Sequence, residues 1–376
     1  MAGLYIHIPF CRHKCAYCNF FSVASRRMQQ GFTVRLAEEA GIQSGYWKNE
    51  TFDTLYFGGG TPSWLPSGEI ALLMEVFRDR FHLDGEAEIT LEANPDDIEM
   101  EALEVWLKAG INRLSIGIQA TDGVTLAGVG RQHSAASDLE SVAVARKAGF
   151  GNLSLDLIYG IPGLDAETWR RTLETVLGLR PEHLSAYALT LEEGTVYAWQ
   201  VRKKAGTAPV DETAAYHYGI LQELTADAGY LQYEVSNFCL PGCESRHNTS
   251  YWKGIPYLGL GPSAHSYNGS ARWWNPASLK GYAEVCAAPP TRREGEILGL
   301  TERYNEYVLT RLRTSRGIVL QEFEKSLGMG CRDYLLKQSE KPAYRGLVLE
   351  NDRMYISPRH YLWADGIIAG LLMSGE

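Results

Sequence analysis

No segment of the sequence is rich in lysine and arginine, and 36 basic against 45 acidic residues leave a formal net charge of -9. That balance excludes a broad phosphate-binding surface, so nucleic acid is not an expected partner. No apolar run approaches the roughly 20 residues that cross a bilayer, and the first residues lack the basic segment and apolar stretch of a secretory leader. Cysteine is scarce. Seven in 376 residues, three of them in one short loop, do not make a disulfide framework. A reducing, cytoplasmic setting is therefore expected, with peripheral membrane contact and a homodimer left open. What the chain does have is core-forming material: 45% hydrophobic residues over this length suffice for one large domain and a smaller one.

Apolar, β-rich runs recur at 4–9, 54–57, 87–91, 113–118, 153–158 and 183–189, and helical periodicity fills 70–81, 100–108, 139–147, 168–179 and 214–226. This alternation predicts successive βα units around a parallel sheet. Lys108-Ala-Gly110 and Lys147-Ala-Gly149 both read as a helix ending on glycine before the next strand. Polar residues fall near the strand ends: the cysteine loop, Gly58 to Thr61, Glu92, Gln119, Asp156 and Tyr187. In βα barrels that rim carries the chemistry. Six units predict an α/β fold, a partial (βα)6 TIM-like barrel open on one side, with a flat doubly wound sheet as the alternative. The barrel is assigned to 1–235, an aromatic-rich connector to 236–300 and a small C-terminal α/β accessory domain to 301–376.

Cys11, Cys15 and Cys18 place three thiols within eight residues, directly after the first strand. Three thiolates can hold a four-iron cluster by three corners and leave one iron open. The same loop could bind zinc with His7 or His13 as fourth ligand, or the thiols could be unrelated core residues. Gly58-Gly59-Gly60-Thr61-Pro62 follows the second strand, where consecutive glycines let the backbone approach a ligand and offer it N–H groups. The segment lacks the Lys and Ser/Thr of a phosphate loop and could be a plain turn. Glu92 and Asp156 can accept from hydroxyl or ammonium, Arg131 can pair with a carboxylate, and Gln119 can do either. Singly, each also reads as a helix cap or a surface ion pair.

Further on, His247 stands near Tyr251, Trp252, Trp273 and Trp274. An imidazole among flat apolar walls suits a porphyrin iron, with Cys243 and His265 as rival ligands. As a lone feature it reads more readily as a hydrogen-bonded core histidine. Cys239, Cys243 and His247 are four apart, but Pro241 and Gly242 oppose a helix there, so no second metal site is expected.

The cysteine spacing resembles that of the radical S-adenosylmethionine (SAM) enzymes, and Gly58 to Pro62 resembles their SAM-binding motif. Tyr5-Ile-His-Ile-Pro-Phe-Cys11, Glu92-Ala-Asn-Pro95, Ser115-Ile-Gly-Ile-Gln119, Gly130-Arg131-Gln132-His133, Asp156-Leu-Ile-Tyr-Gly160 and Leu184-Ser-Ala-Tyr187 look like motifs of the oxygen-independent coproporphyrinogen oxidase (HemN) group. The resemblance implies a [4Fe-4S] cluster on Cys11, Cys15 and Cys18. It implies a SAM site lined by Tyr5, Tyr17, Gly59, Gly60, Thr61, Glu92, Gln119, Arg131, Asp156 and Thr190.

Two features depart from the oxidases. Phe20 stands where they carry a fourth cysteine, and Cys11 comes without their long preceding segment. Both count against oxidase activity. Together with His247-Asn248-Thr-Ser-Tyr251-Trp252 they resemble the HemW branch, haem chaperones that pass haem to apo-haemoproteins such as respiratory enzymes. By that resemblance His247 binds haem. Radical oxidative decarboxylation of coproporphyrinogen III is the alternative function, and a structural zinc protein on a similar barrel is a third.

Overall fold

The computed structural model describes residues 1–128, 130–131, 135–341 and 345–374. Six strands, β1 (Ala2–Ile8), β2 (Thr51–Gly59), β3 (His82–Ala93), β4 (Arg113–Gln119), β5 (Leu153–Tyr159) and β6 (His183–Ala188), pair in parallel and in chain order. Helices α1 (Phe32–Ser44), α2 (Ser67–Arg80), α3 (Met100–Ala109), α4 (Gly123–Gly128), α5 (Ala135–Ala148) and α6 (Ala166–Gly178) lie between them, and α7 (Val196–Arg202) and α8 (Asp211–Asp227) follow β6. This is the expected α/β partial barrel. The periodicity of the sequence passed over α1 because its buried face carries Glu39 and Gln43 beside Phe32, Leu36 and Ala40.

Side chains alternate across a strand, and here the two sets differ in chemistry. Leu4, Ile6, Ile8, Leu55, Phe57, Leu91, Leu114, Ile116, Leu153, Leu155 and Leu184 are fully buried in the hydrophobic core. The intervening positions are polar: Tyr5 and His7, Thr54 and Tyr56, Thr90 and Glu92, Arg113 and Ser115, Ser154 and Asp156, His183 and Ser185. The sheet thus turns its apolar face to the core and a polar face to the barrel interior.

The barrel stays open. Beyond β6 the sheet continues through β7 (Leu231–Gln232) and β8 (Asn237–Cys239), and β8 runs antiparallel to β6. On the other side, β9 (Tyr257–Leu260) pairs in parallel with β1 and leads to β10 (His265–Tyr267), β11 (Ala271–Trp274) and β12 (Glu294–Ile297). Residues 236–300 therefore extend the barrel's own sheet.

Buried Glu39 ties this extension to α1. It accepts from Gly261 N (2.8 Å), Asn275 Nδ2 (2.8 Å) and the Tyr282 hydroxyl (2.7 Å), and pairs with Arg293 (2.9 Å). A buried charge is tolerable only when satisfied in this way.

Helix α9 (Arg246–Trp252) packs against β1 and β2 and is held at both ends. The Glu88 carboxylate accepts from the backbone N–H groups of Arg246 (3.1 Å) and His247 (3.0 Å). Arg311 donates to the carbonyls of Trp252 (2.5 Å) and Lys253 (2.9 Å). Unpaired helix-end groups are thereby satisfied from opposite sides. Arg311 belongs to α11 (Leu300–Leu312) of the C-terminal region; the short α10 (Leu279–Val285) precedes it. There a small antiparallel sheet of residues 318–319, 353–356 and 347–350 packs with helices around Tyr304, Phe323, Leu335 and Tyr361. Among the described residues no helix is long and apolar enough to cross a membrane.

Candidate functional site

One cavity of about 720 Å³ occupies the barrel interior, lined by the cysteine loop and by Ser245 and Asn248 among others. The loop leaves β1 and doubles back: Val23 N donates to Pro9 O (2.7 Å) and Cys11 N to Val23 O (3.2 Å). Tyr197 N of α7 donates to Ala16 O (2.8 Å) and pins the loop's middle. Cys11, Cys15 and Cys18 all line the cavity and all seven cysteines are free thiols. Burial pushes the Cys11 and Cys18 thiols up. The Thr61 and Ser22 hydroxyls beside the Cys11 sulfur oppose that shift, and buried Ser22 Oγ has no other partner among the described residues.

These observations bear on which metal group fits. Among the described residues no three His, Cys, Asp or Glu side chains are arranged around a single ion. Zinc draws its sulfur ligands to about 2.3 Å of one centre, whereas an iron–sulfur cluster takes each thiolate on a separate iron. Three thiols facing one cavity, with hydroxyls at Cys11, suit the cluster. His7 is no fourth ligand: its Nε2–H donates to Phe21 O (2.9 Å) and the Tyr5 hydroxyl occupies Nδ1 (3.1 Å). His13 is exposed at the cavity.

The glycines act differently from the sequence expectation. Gly60 N donates to Ile8 O (2.8 Å) and Thr61 N to Phe10 O (2.7 Å), so these N–H groups are committed to the protein. A Cβ on Gly60 would stand 2.8 Å from Phe10 O, and one on Gly59, whose φ is +107°, would stand 2.6 Å from the His7 ring. The glycines let the end of β2 lie against the cysteine loop.

Glu92 faces the cavity, and burial raises its carboxyl to about 7. Asp156 adds to the rise, while the Tyr56 hydroxyl and the Gly59 N–H oppose it. Tyr56 donates to Glu92 Oε1 at 2.8 Å. Asp156, also raised by burial, accepts from Ser115 Oγ at 3.1 Å on both oxygens. Gln119 sits in the left-handed region (φ +69°) at an irregularity of the β4–β5 ladder. A Cβ on Gly117 would meet Gln119 Nε2 at 2.9 Å and an Arg131 nitrogen at 3.4 Å, so that glycine makes room for both side chains. Arg131 donates to Asn94 Oδ1 (2.6 Å) and lies beside Tyr17 and Cys15. Thr190, at the rim, donates to Glu192 Oε1 (3.0 Å).

The structure thus brings Tyr17, Gly59, Gly60, Thr61, Glu92, Gln119, Arg131, Asp156 and Thr190 together with the three cysteines around one space. Gln132 and His133 of the Arg131 motif lie outside the described residues. Tyr5 is not on the cavity wall; it stacks behind it on Tyr56, with ring centroids 6.3 Å apart.

His247 is also absent from the wall. Its ring is 2% exposed, with Nδ1 at 2.8 Å from Thr54 Oγ1 and Nε2 at 2.9 Å from the Tyr251 hydroxyl. Burial lowers its pKa to about 3, so it is neutral. With both nitrogens hydrogen-bonded, this conformation does not fit haem ligation, contrary to the sequence expectation. Cys239 lies in β8 and His247 in α9, so they share no helix face.

Sequence reasoning missed Tyr56, Arg113, Ser154 and His183, which line the cavity with Ser245 and Asn248. The available signal was period-two: each lies two residues along its strand from another polar inward residue. Attention to the C-terminal strand ends alone passes over inward positions nearer the strand starts.

Comparison with known proteins extends this geometry. The pattern of the radical SAM superfamily matches residues 5–176. The chain is 35% identical to the haem chaperone HemW of Mycobacterium tuberculosis over 98% of this chain and 94% of that one. It is 36% identical to the mitochondrial radical S-adenosyl methionine domain-containing protein 1 of Mus musculus, covering 93% and 82% of the two chains. Among solved structures it resembles coproporphyrinogen III oxidase (HemN) of Escherichia coli, with a TM-score of 0.83, 25% identity and coverage of 99% and 90%.

Proposed function

The chain belongs to the HemW family within the radical SAM superfamily, and from that membership we propose that it is a haem chaperone carrying SAM and a [4Fe-4S] cluster in its barrel. Cys11, Cys15 and Cys18 would hold the cluster, which when bound supplies an electron and an open iron for SAM. The chain's own residues would place the ligand. Arg131 offers a guanidinium to the SAM carboxylate, while Glu92 and Asp156 offer acceptors to its ammonium and ribose hydroxyls. Tyr17 and Thr61 close the space beside the thiols.

The observation that carries the chaperone reading over the oxidase is Phe20. It is 62% exposed at the cavity, in the position where the resemblance to the oxidases calls for a fourth cysteine. Haem would be met by an accessible imidazole. His13 is exposed on the cysteine loop, and exposed His265 stacks on Trp274 with centroids 5.5 Å apart. Delivery would be to apo-haemoproteins such as respiratory enzymes in the cytoplasm, with peripheral membrane contact or a homodimer bringing donor and client together.

Anaerobic reconstitution followed by iron and sulfide analysis, haemin titration at the Soret band and a coproporphyrinogen III turnover assay tests this. The expected result is a four-iron cluster, saturable haem binding stoichiometric with the chain, and no decarboxylation. Turnover without stoichiometric haem binding would favour the oxidase, and zinc in place of iron would overturn both.

A further inference from the structure

His247 belongs to a cluster of three rings inside the barrel, packing against both Tyr56 and Tyr5, which also face each other at 6.3 Å. Its ring lies 5.0 Å from that of Tyr56 at an interplanar angle of 24°, and 6.4 Å from that of Tyr5 at 28°. Tyr251 meets the His247 ring edge-on at 4.9 Å. On its remaining side the ring meets Gly3, where an added Cβ would come within 3.4 Å of it. Thr54 Oγ1 and the Tyr251 hydroxyl fix the ring's rotation through its two nitrogens. Its backbone N–H is fixed by Glu88.

What the cluster supports is the cavity wall. Tyr56 packs against both His247 and Tyr5 in it, and the Tyr56 hydroxyl reaches Glu92 Oε1 at 2.8 Å. The next residue of the same motif, Asn248, lines the cavity. One turn of α9 therefore presents its asparagine to the ligand space and its histidine to the wall behind Glu92.

We propose that His247 is a positioning residue of the SAM site: it holds Tyr56, and through Tyr56 it holds the Glu92 carboxylate toward the ligand. This inference rests on the reading that the cavity binds SAM. It separates the histidine from haem and gives the His-Asn pair a division of labour, the histidine acting through Tyr56 and the asparagine facing the cavity. The groups that face Glu92 are Tyr5, Tyr56, Asp156 and Tyr187, from β1, β2, β5 and β6. Of these, Tyr56 donates the hydrogen bond that favours the ionised carboxylate.

The test compares reconstituted wild type, His247→Ala, His247→Gln, Tyr56→Phe and the double variant His247→Ala/Tyr56→Phe. Each is titrated with SAM by equilibrium dialysis across pH, and separately with haemin. His247→Ala and Tyr56→Phe should each weaken SAM binding about tenfold, the scale of one hydrogen bond to a charged group. Both should move the SAM-binding pH profile upward, because Glu92 loses a donor that stabilises its charge. The double variant should lose little more than either single one, as expected for residues acting in series. His247→Gln, which keeps a hydrogen-bonding side chain, should recover part of the affinity. Haemin affinity should stay within about twofold throughout.

Unchanged SAM affinity and pH profile in both single variants would overturn the proposal. So would loss of haemin binding in His247→Ala with SAM binding intact, which would make His247 a haem ligand. If wild type itself fails to bind SAM, the underlying reading of the cavity falls and this inference with it. If His247→Ala does not fold, Tyr56→Phe against His247→Gln carries the same comparison.

Discussion

Replacing Glu92 by glutamine should change the pH dependence of stability in the ligand-free protein. The carboxyl is raised from 4.5 to about 7, with burial the largest cause. At 1.36 kcal/mol per unit this corresponds to about 3 kcal/mol, and to about 2 kcal/mol after allowance for the partial exposure of the group to the cavity. A raised carboxyl binds its proton more tightly folded than unfolded. The stability it supports is therefore full below 4.5 and is lost as pH rises through 7.

Glutamine keeps an oxygen for the Tyr56 hydroxyl and carries no charge, so Glu92→Gln should overtake wild type as pH rises. The gap should widen by about 2 kcal/mol between about pH 5 and pH 8. Asp156 is common to both proteins, so its own titration largely cancels. Denaturant melts of the two proteins at several pH values without SAM measure the difference directly. SAM should reverse the advantage: its ammonium would favour the ionised carboxylate, so wild-type affinity should rise through neutral pH while that of Glu92→Gln stays low and flat. Parallel melts of the two proteins at every pH would refute the reasoning.

Other consequences follow from the clamps on α9 and from the glycines. Glu88→Ala leaves the N–H groups of Arg246 and His247 without their acceptor and should cost about 2 kcal/mol in a denaturant melt; an unchanged melt would deny the clamp. Arg311→Leu frees the Trp252 and Lys253 carbonyls and should lower stability by about 1 kcal/mol. Its effect should add poorly to that of Glu88→Ala because both hold the same helix. Gly60→Ala puts a methyl 2.8 to 2.9 Å from backbone atoms of Ile8 and Phe10. It should therefore reduce the iron incorporated per chain, whereas Gly68→Ala, where a Cβ meets nothing within 4 Å, should not.

The barrel was legible because its parallel strands carry a regular set of apolar core residues and are separated by helices with strong signals, such as the glycine stop at Gly110, which takes a left-handed φ of +93°. The strand-end residues were legible for the same reason: once the strands are placed, Glu92, Asp156 and Gln119 must come near one rim. The extension of the sheet by 236–300 was not, since β9 joins β1 across some 250 residues of chain and its four residues carry no period of their own. The setting of His247 was hidden as well. The sequence shows an imidazole beside aromatics, and only packing tells whether those rings leave a nitrogen open or fill both.

The most direct test of the chaperone account is haem transfer. Reconstituted protein loaded with haem is mixed with an apo-haemoprotein of the respiratory chain, separated from it, and both fractions are read by their Soret spectra. The account predicts that haem leaves this chain and appears in the client with native absorbance, faster than from free haemin at the same concentration. Haem that stays on this chain, or reaches the client no faster than free haemin does, would contradict it.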